Sequence, residues 1–159
     1  MRTQKDNEEV VFLIIGDGTE YVKLENFVKN EKQNNVRVLK KIPKDDYDRL
    51  VAACDVGMLF LDYRFTIPNF PSRLLSYMQA GLPVLACTDV NTDVGQIIMD
   101  GKLGWWCESN NTEKFAELVS TITKQDLKEM SINNWKYLCK HYNVVEVYKK
   151  MMDCLEKVY

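Results

Sequence analysis

Short apolar runs alternate with amphipathic stretches along the first two thirds of the chain. The runs are apolar at nearly every position, which is typical of parallel strands covered on both faces. Five strands are predicted from them: Val10–Ile15, Val36–Leu39, Val56–Leu61, Pro83–Cys87 and Gly104–Cys107. Strands that alternate with helical segments predict an α/β fold, in which crossover helices connect the strands of a parallel sheet.

Helical spacing of apolar residues fills the intervals between these strands. The predicted helices cover residues 21–28, 45–54, 72–80 and 93–99. Gly81 and Pro83 end the third of them, because glycine readily adopts the left-handed conformation and proline cannot continue a helix. Gly101 and Gly104 mark the turn between the fourth helix and the last strand.

The rest of the chain, from Asn111 onward, is predicted to be helical with no further strand. Its last segment carries apolar side chains at helical spacing, at Val144, Val147, Tyr148, Met151, Met152, Leu155 and Val158. A helix with so apolar a face is expected to pack against another surface.

Composition and charge narrow the class of protein. The 159 residues suit one domain, and 46% hydrophobic with 28% charged residues is ordinary for a globular protein. A net charge of −2 excludes a broad nucleic-acid surface, which needs clustered Lys and Arg. The apolar runs are shorter than the roughly 20 residues of a membrane span. The N-terminus is unlike a signal peptide and the 5 cysteines are widely spaced, so we expect reduced thiols and a cytoplasmic location.

The segment Phe70–Arg73 carries the strongest local chemical signal. It follows a strand and a long loop and immediately precedes a helix, whose first-turn backbone N–H groups are free to bind an anion. Ser72 can cap the helix or donate its hydroxyl, and Arg73 can bind a phosphate oxygen. On local grounds, the alternative that Ser72 only caps the helix while Arg73 points into solvent is at least as good.

Gly16 and Gly18 form a second, weaker signal. They follow the first strand and precede a helix, where glycines let the backbone turn sharply or let a ligand approach. The third glycine of a dinucleotide-binding fingerprint is absent, so a plain strand-to-helix turn is the main alternative.

The remaining polar residues predict no catalytic or metal site. Asp89 and Asp93 are interpreted as solvated turn residues, and the single histidine, His141, as structural. No metal-ligand spacing or cofactor-binding motif occurs, so neither a metal nor a cofactor is expected.

Five segments taken together match the pattern of one known family, and they are Phe12–Gly18, Val36–Pro43, Leu50–Leu59, Pro71–Val84 and Ile97–Gly104. Their order and spacing resemble the C-terminal domain of GT-B-fold, family-4 retaining glycosyltransferases from about Val10 to Tyr148. The resemblance implies a Rossmann-like parallel sheet of about five to six strands, flanked by helices and followed by a helical tail.

The resemblance also implies a binding site for a nucleoside-diphosphate sugar. In this family the donor's diphosphate lies at the start of the central helix, and the base lies near the loop after the strand that corresponds to Val36–Leu39. The expected contacts are Pro71, Ser72 and Arg73 for the diphosphate, and Gly16, Gly18, Lys41, Ile42 and Ser76 for the nucleoside. The catalytic residues are not assigned.

Two departures from the family's pattern affect the sugar and the ribose. The family has two glutamates separated by seven residues, and this chain has Pro68 and Ser76 at those positions. A weaker hydroxyl hydrogen bond from Ser76 is expected to replace the ribose contact, whereas the contact to the donor sugar is left unassigned. Capsule- and lipopolysaccharide-type members often carry Pro-Ser-Lys/Arg in this block, as Pro71–Arg73 does here, so the resemblance indicates a divergent subfamily.

By the same resemblance the chain is half of a two-domain enzyme. Residues 1–159 are expected to form a single donor-binding domain, without the N-terminal acceptor domain and without the domain's own first strand. The chain alone is therefore expected to be inactive. The tail helix is expected to cross onto the absent domain. Any peripheral association of the enzyme with a membrane is expected to occur through that absent domain.

The predicted function is transfer of a sugar from a UDP- or GDP-sugar to an acceptor with retention of configuration, in cell-surface polysaccharide synthesis. Two alternatives remain open at this point. One is a non-catalytic protein-interaction module derived from the same fold, because both glutamates are missing. The other is a sugar-nucleotide epimerase of GT-B fold.

Overall fold

Parallel strands alternate with helices in the computed structural model, which describes residues 4–5, 7–65, 67 and 69–156. The strands are β1 (Phe12–Ile15), β2 (Val36–Leu39), β3 (Gly57–Phe60), β4 (Val84–Thr88) and β5 (Gly104–Glu108). The helices are α1 (Tyr21–Asn30), α2 (Lys44–Ala52), α3 (Arg73–Gln79), α4 (Val94–Asp100), α5 (Thr112–Ile122), α6 (Lys128–His141) and α7 (Val144–Glu156). The predicted α/β class, the five strands and the helical tail are confirmed.

The chain divides into two compact units. The first contains the described residues up to Leu50 together with Asn111–Gln125. The second contains Val51–Asn110 and the described residues from Asp126 onward. The strands accordingly form a two-stranded parallel sheet, β1-β2, and a three-stranded parallel sheet in the order β3-β4-β5.

The first unit is built around the β1-β2 pair. Phe12 lies opposite Val36 and Ile15 lies opposite Leu39, with α1 as the crossover between the two strands. Helix α5 belongs to this unit, and its Phe115 ring lies 6.3 Å from the Phe12 ring, centroid to centroid. Both rings are buried, so they form the apolar contact that joins α5 to β1.

The second unit has β4 as its central strand. All five residues of β4 are buried, as expected for a parallel strand with neighbours on both edges and helices on its faces. Leu74 and Met78 of α3, together with Val94 and Ile98 of α4, are fully buried. This core holds the start of α3 at the carboxyl-terminal edge of the sheet.

Helix α3 ends at the predicted glycine. Gly81 has a φ of 68°, its N–H donates to Met78 O, and the Leu82 N–H donates to Tyr77 O, which is the Schellman arrangement. Helix α4 ends at Asp100, one residue later than predicted, and the turn that Gly101 and Gly104 mark contains a left-handed residue at Lys102, with a φ of 51°.

The last helix, α7, buries none of its residues among the part of the chain that the structure describes. Val144 is 80% exposed and Tyr148 is 61% exposed, although both belong to its apolar face. Within the described ranges, no helix is both long and apolar enough to cross a bilayer.

Candidate functional site

The start of α3 leaves two backbone donors free. The Leu74 N–H donates to Pro71 O (2.9 Å) and the Leu75 N–H donates to Ser72 O (3.1 Å), so the first helical turn already begins at Pro71. Among the described residues, neither the Ser72 N–H nor the Arg73 N–H donates to any acceptor. Two adjacent N–H groups are therefore available to an anionic ligand.

The side chains of Ser72 and Arg73 are both exposed and unengaged in the described part of the chain. Ser72 has helical dihedral angles and its hydroxyl makes no capping hydrogen bond, so the alternative is wrong about the cap, whereas Arg73 is exposed to solvent as that alternative expected. The Arg73 guanidinium pairs with no carboxylate in the described ranges, and α3 has no acidic residue in its first turn. An arginine without a protein partner can bind a phosphate in the bidentate mode.

Ser76 lies one turn farther along α3 and is half-buried. Its carbonyl accepts the Ala80 N–H at 3.1 Å, and its hydroxyl has no partner within the described residues. The hydroxyl is thus free to bind a ligand. Pro68, at the family's other glutamate position, lies outside the described residues.

Tyr77 fixes α3 against the sheet. Its hydroxyl donates to Met58 O of β3 at 3.2 Å, and its ring lies directly over Gly57. A Cβ atom at Gly57 would lie 2.8 Å from Cδ1 of the ring, closer than carbon atoms pack. Glycine at this position is what allows α3 to lie so close to β3, and it thereby positions Ser72 and Arg73.

In the first unit, Gly16 and Gly18 lie at the carboxyl end of β1. The Gly16 N–H donates to Leu39 O, the last residue of β2, at 3.1 Å, and Gly18 O accepts the Tyr21 N–H that begins α1. A Cβ atom would meet no heavy atom within 4 Å at either glycine. Crowding does not require glycine here, so space beside this turn is open to a ligand.

Lys41 and Ile42 follow β2 at the same edge of this two-stranded sheet. Lys41 is exposed and Ile42 is half-buried. The Gly16–Leu39 hydrogen bond joins the ends of the two strands, so the structure groups four predicted nucleoside contacts at one edge of the first unit. Their contact with a nucleoside, like that of the α3 residues with a diphosphate, stays a prediction.

A second group of polar residues at the edge of the β3-β4-β5 sheet was not predicted as a site. Asp62 accepts the Arg64 N–H and Nε–H, each at 2.9 Å, and its side-chain hydrogen bond with Arg64 lowers the pKa of Asp62 to about 2. Asp62 borders a shallow cavity of about 300 Å³, lined by Phe60, Leu61, Asp62, Tyr63, Ser109 and Asn110. Arg64 is thus paired with a carboxylate, whereas Arg73 has no such partner in the described ranges.

The prediction that Asp89 is a solvated turn residue is wrong. It is only 1% exposed, and its carboxylate accepts the N–H groups of Asn91 (2.7 Å) and Thr92 (2.9 Å). Burial raises the pKa of Asp89, but these hydrogen bonds outweigh burial and bring it below the ordinary value of 3.8. Asp89 therefore shapes the loop between β4 and α4. The spacing of Asp with the polar residues that follow it is typical of an Asx turn and was the available signal.

An aromatic cluster joins the residue before Pro71 to the end of α6, and it was not predicted from the sequence. The Phe70 ring, directly before Pro71, lies 5.4 Å from the ring of Tyr142 at the end of α6. Tyr137 lies 6.2 Å from Tyr142 and stacks on His141 at 4.2 Å. His141 thus makes an aromatic contact on a helix surface, in agreement with its structural interpretation. In the described residues no three His, Cys, Asp or Glu side chains are grouped as metal ligands.

Comparisons with known proteins identify the family of the chain. The family model of glycosyl transferases group 1 matches residues 1–138. The probable glycosyltransferase WbjE of Pseudomonas aeruginosa is 25% identical over 149 residues, which are 94% of this chain and 37% of WbjE. The uncharacterized glycosyltransferase MJ1178 of Methanocaldococcus jannaschii is 28% identical over 150 residues, covering 89% of this chain and 41% of MJ1178.

Solved structures share the fold. HepE (Alr3699) of Anabaena, crystallised with UDP, superposes with a TM-score of 0.77 at 21% identity, over 98% of this chain and 43% of HepE. HepE crystallised with UDP-glucose gives a TM-score of 0.74. The chain therefore spans less than half the length of each of these relatives. The family model matches most of the length of this chain, which shows that the chain belongs to the glycosyl transferases group 1 family.

Proposed function

We propose that the chain binds the UDP-sugar donor of a glycosyltransferase that transfers the sugar to an acceptor with retention of configuration. The observation that carries the proposal is the start of α3, where the free N–H groups of Ser72 and Arg73 adjoin an arginine without a carboxylate partner among the described residues. Family membership supports sugar transfer, and the UDP and UDP-glucose held by HepE support uracil as the base.

The role of this site in the reaction follows from its charge. When the bond between the sugar and the diphosphate breaks, negative charge develops on the departing diphosphate. The Arg73 guanidinium and the two backbone N–H groups stabilise that charge without having to reorganise, which lowers the barrier. Charge-assisted hydrogen bonds of this kind make a bound metal ion unnecessary for leaving-group stabilisation.

The nucleoside is proposed to contact the first unit. Gly16 and Gly18 leave open space beside the end of β1, and Lys41 and Ile42 follow β2 at the same edge. Ser76, whose hydroxyl has no partner in the described ranges, is the proposed ribose contact on α3. A single hydroxyl forms a weaker contact than a carboxylate, so tight ribose binding is not expected from Ser76.

Transfer requires a second domain, and we propose that the chain alone binds the donor but does not transfer the sugar. The relatives are more than twice as long as the matched region. The exposed apolar face of α7 is the proposed surface on which that domain packs. Its side chains Val144 and Tyr148 are 80% and 61% exposed, and an exposed apolar face of this kind is typical of an interaction surface. We place the reaction in the cytoplasm, in cell-surface polysaccharide synthesis.

A non-catalytic protein-interaction module is the second candidate, favoured by Ser76 at a position where the family has a glutamate. The two candidates differ in donor binding. A transferase retains affinity for UDP, whereas a module that has lost its activity has no need to keep Arg73 free for a phosphate.

Isothermal titration calorimetry of UDP into the chain and into Arg73→Ala tests the proposal. Loss of a charge-assisted hydrogen bond predicts a Kd for UDP raised about tenfold, with unchanged thermal unfolding because Arg73 is exposed. The matched control is Arg49→Ala, an exposed arginine of α2, which is expected to leave the Kd unchanged. Equal affinities of the wild type and Arg73→Ala would rule out Arg73 as a diphosphate ligand.

A further inference from the structure

The described residues of the segment that leads into α3 make few backbone hydrogen bonds. Backbone hydrogen bonds of the described residues extend along this loop as far as Phe65, whose N–H donates to Asp62 O. The next is donated by Leu74, inside the helix. Ser72 does not cap the helix, so in the described part of this loop the Pro71–Arg73 turn is held locally by the Leu74–Pro71 and Leu75–Ser72 backbone bonds alone, without a side-chain cap.

Tyr142 supplies a contact to this segment from a distant part of the sequence. Its ring packs against Phe70 with centroids 5.4 Å apart and planes inclined by 48°, a favourable tilted geometry. The Tyr142 backbone is held in turn, because its N–H donates to Leu138 O at 2.9 Å where α6 ends. A rigid helix end therefore presents the ring to Phe70.

The Tyr142 side chain is half-buried where α6 ends. Burial raises the pKa of the Tyr142 hydroxyl, and the charges of Tyr137 and Asp93 raise it further. The hydroxyl stays neutral, and the ring acts as a packing element.

We infer that Tyr142 is a positioning residue, which holds Phe70 and through it the Pro71–Arg73 turn in the conformation that receives the diphosphate. This inference rests on the proposed function, since it concerns the same site. Tyr142 should affect binding of the diphosphate and not binding of the nucleoside, because the Phe70 ring that it contacts belongs to the segment that enters α3. Removal of the ring should weaken ligands that carry a diphosphate and spare ligands that lack one.

The test measures Kd for UDP by calorimetry and Kd for uridine by NMR titration, for wild type, Tyr142→Phe and Tyr142→Ala. Loss of one aromatic pair predicts that Tyr142→Ala raises the Kd for UDP about fivefold and leaves the Kd for uridine unchanged. Tyr142→Phe keeps the ring and is expected to bind UDP as the wild type does. The matched control is Tyr148→Ala, an exposed tyrosine of α7.

A variant of the other ring tests the same contact if Tyr142→Ala does not fold. Phe70→Leu removes the other ring of the pair and keeps its apolar bulk, so it should also raise the Kd for UDP about fivefold and spare uridine. Combining it with Tyr142→Ala should add little, because both changes remove one interaction.

Two outcomes overturn the inference in distinguishable ways. If wild type binds UDP and both ring variants retain its Kd, or lose UDP and uridine equally, Tyr142 is not a positioning residue for the diphosphate. If wild type binds no UDP, the proposed function fails and the inference fails with it.

Discussion

Gly57→Ala tests how closely α3 must approach β3. The new methyl group would meet the Tyr77 ring, with Cδ1 at 2.8 Å, whereas carbon atoms pack at about 3.5–4.0 Å. The ring cannot simply swing away, because the Tyr77 hydroxyl donates to Met58 O at 3.2 Å. Helix α3 must therefore shift by about 1 Å, which disturbs the packing around the fully buried Leu74 and Met78.

The cost follows from two opposing effects. Overpacking a well-packed core destabilises by about 1–3 kcal/mol. Replacing a strand glycine by alanine returns about 0.5–1 kcal/mol, because the unfolded chain then has less conformational freedom to lose. Three atoms of the Tyr77 ring would lie closer than 3.0 Å, so the overpacking falls in the upper part of its range, and we expect a net loss of about 1–2.5 kcal/mol in the free energy of unfolding. The Kd for UDP should also rise, because Ser72 and Arg73 move with α3.

Urea unfolding followed by circular dichroism measures the difference. The matched control is Gly16→Ala, since no heavy atom lies within 4 Å of the Cβ position at Gly16. That variant has the same entropic gain without the clash, so it is expected to raise the free energy of unfolding by about 0.5–1 kcal/mol. A Gly57→Ala variant with the stability of wild type would show that Tyr77 does not lie on Gly57, and would refute the reasoning.

Two further predictions concern helix ends and buried charge. Lys102→Gly should raise the free energy of unfolding by about 0.5–1 kcal/mol, because Lys102 has the left-handed backbone that glycine adopts without cost. Thermal unfolding measures the difference, and an unchanged or lower stability would contradict this. Asp89→Asn should lower stability at neutral pH, and the deficit should shrink in acid. The folded-state pKa of Asp89 is below its ordinary value of 3.8, so the stabilisation is present above that value and is lost as pH falls through the folded pKa. Urea midpoints between about pH 7 and pH 2.5 check it, and a deficit that stays constant would exclude the Asp89 hydrogen bonds as its cause.

Local patterns were sufficient for the elements themselves. The apolar run Val36–Leu39 coincides with β2, and Gly81 ends α3 as its position before Pro83 predicted. These features depend on neighbours within a few residues, so the sequence carries them directly. Membership of the family was likewise visible in the order and spacing of the segments.

Tertiary contacts decided the features that were not predicted. Phe70 and Tyr142 are far apart in the sequence, and no periodicity links them. Lys102 takes the left-handed position after α4 although Gly101 is adjacent, because the helix continues one residue farther than its apolar pattern indicated. The hydrogen bonds of Asp89 to Asn91 and Thr92 are local and follow an Asx-turn pattern, whereas its burial at 1% exposure depends on the packing around the end of β4, which a local pattern does not reveal.

The central claim is that the backbone at the start of α3 binds the diphosphate, and an NMR titration of the ¹⁵N-labelled chain with UDP tests it most directly. The free N–H groups of Ser72 and Arg73 would become hydrogen-bonded to phosphate oxygens. We predict that their amide signals shift more than those of exposed residues of α7, and that uridine leaves them in place. Saturable binding of UDP with the Ser72 and Arg73 amides unmoved would contradict the claim.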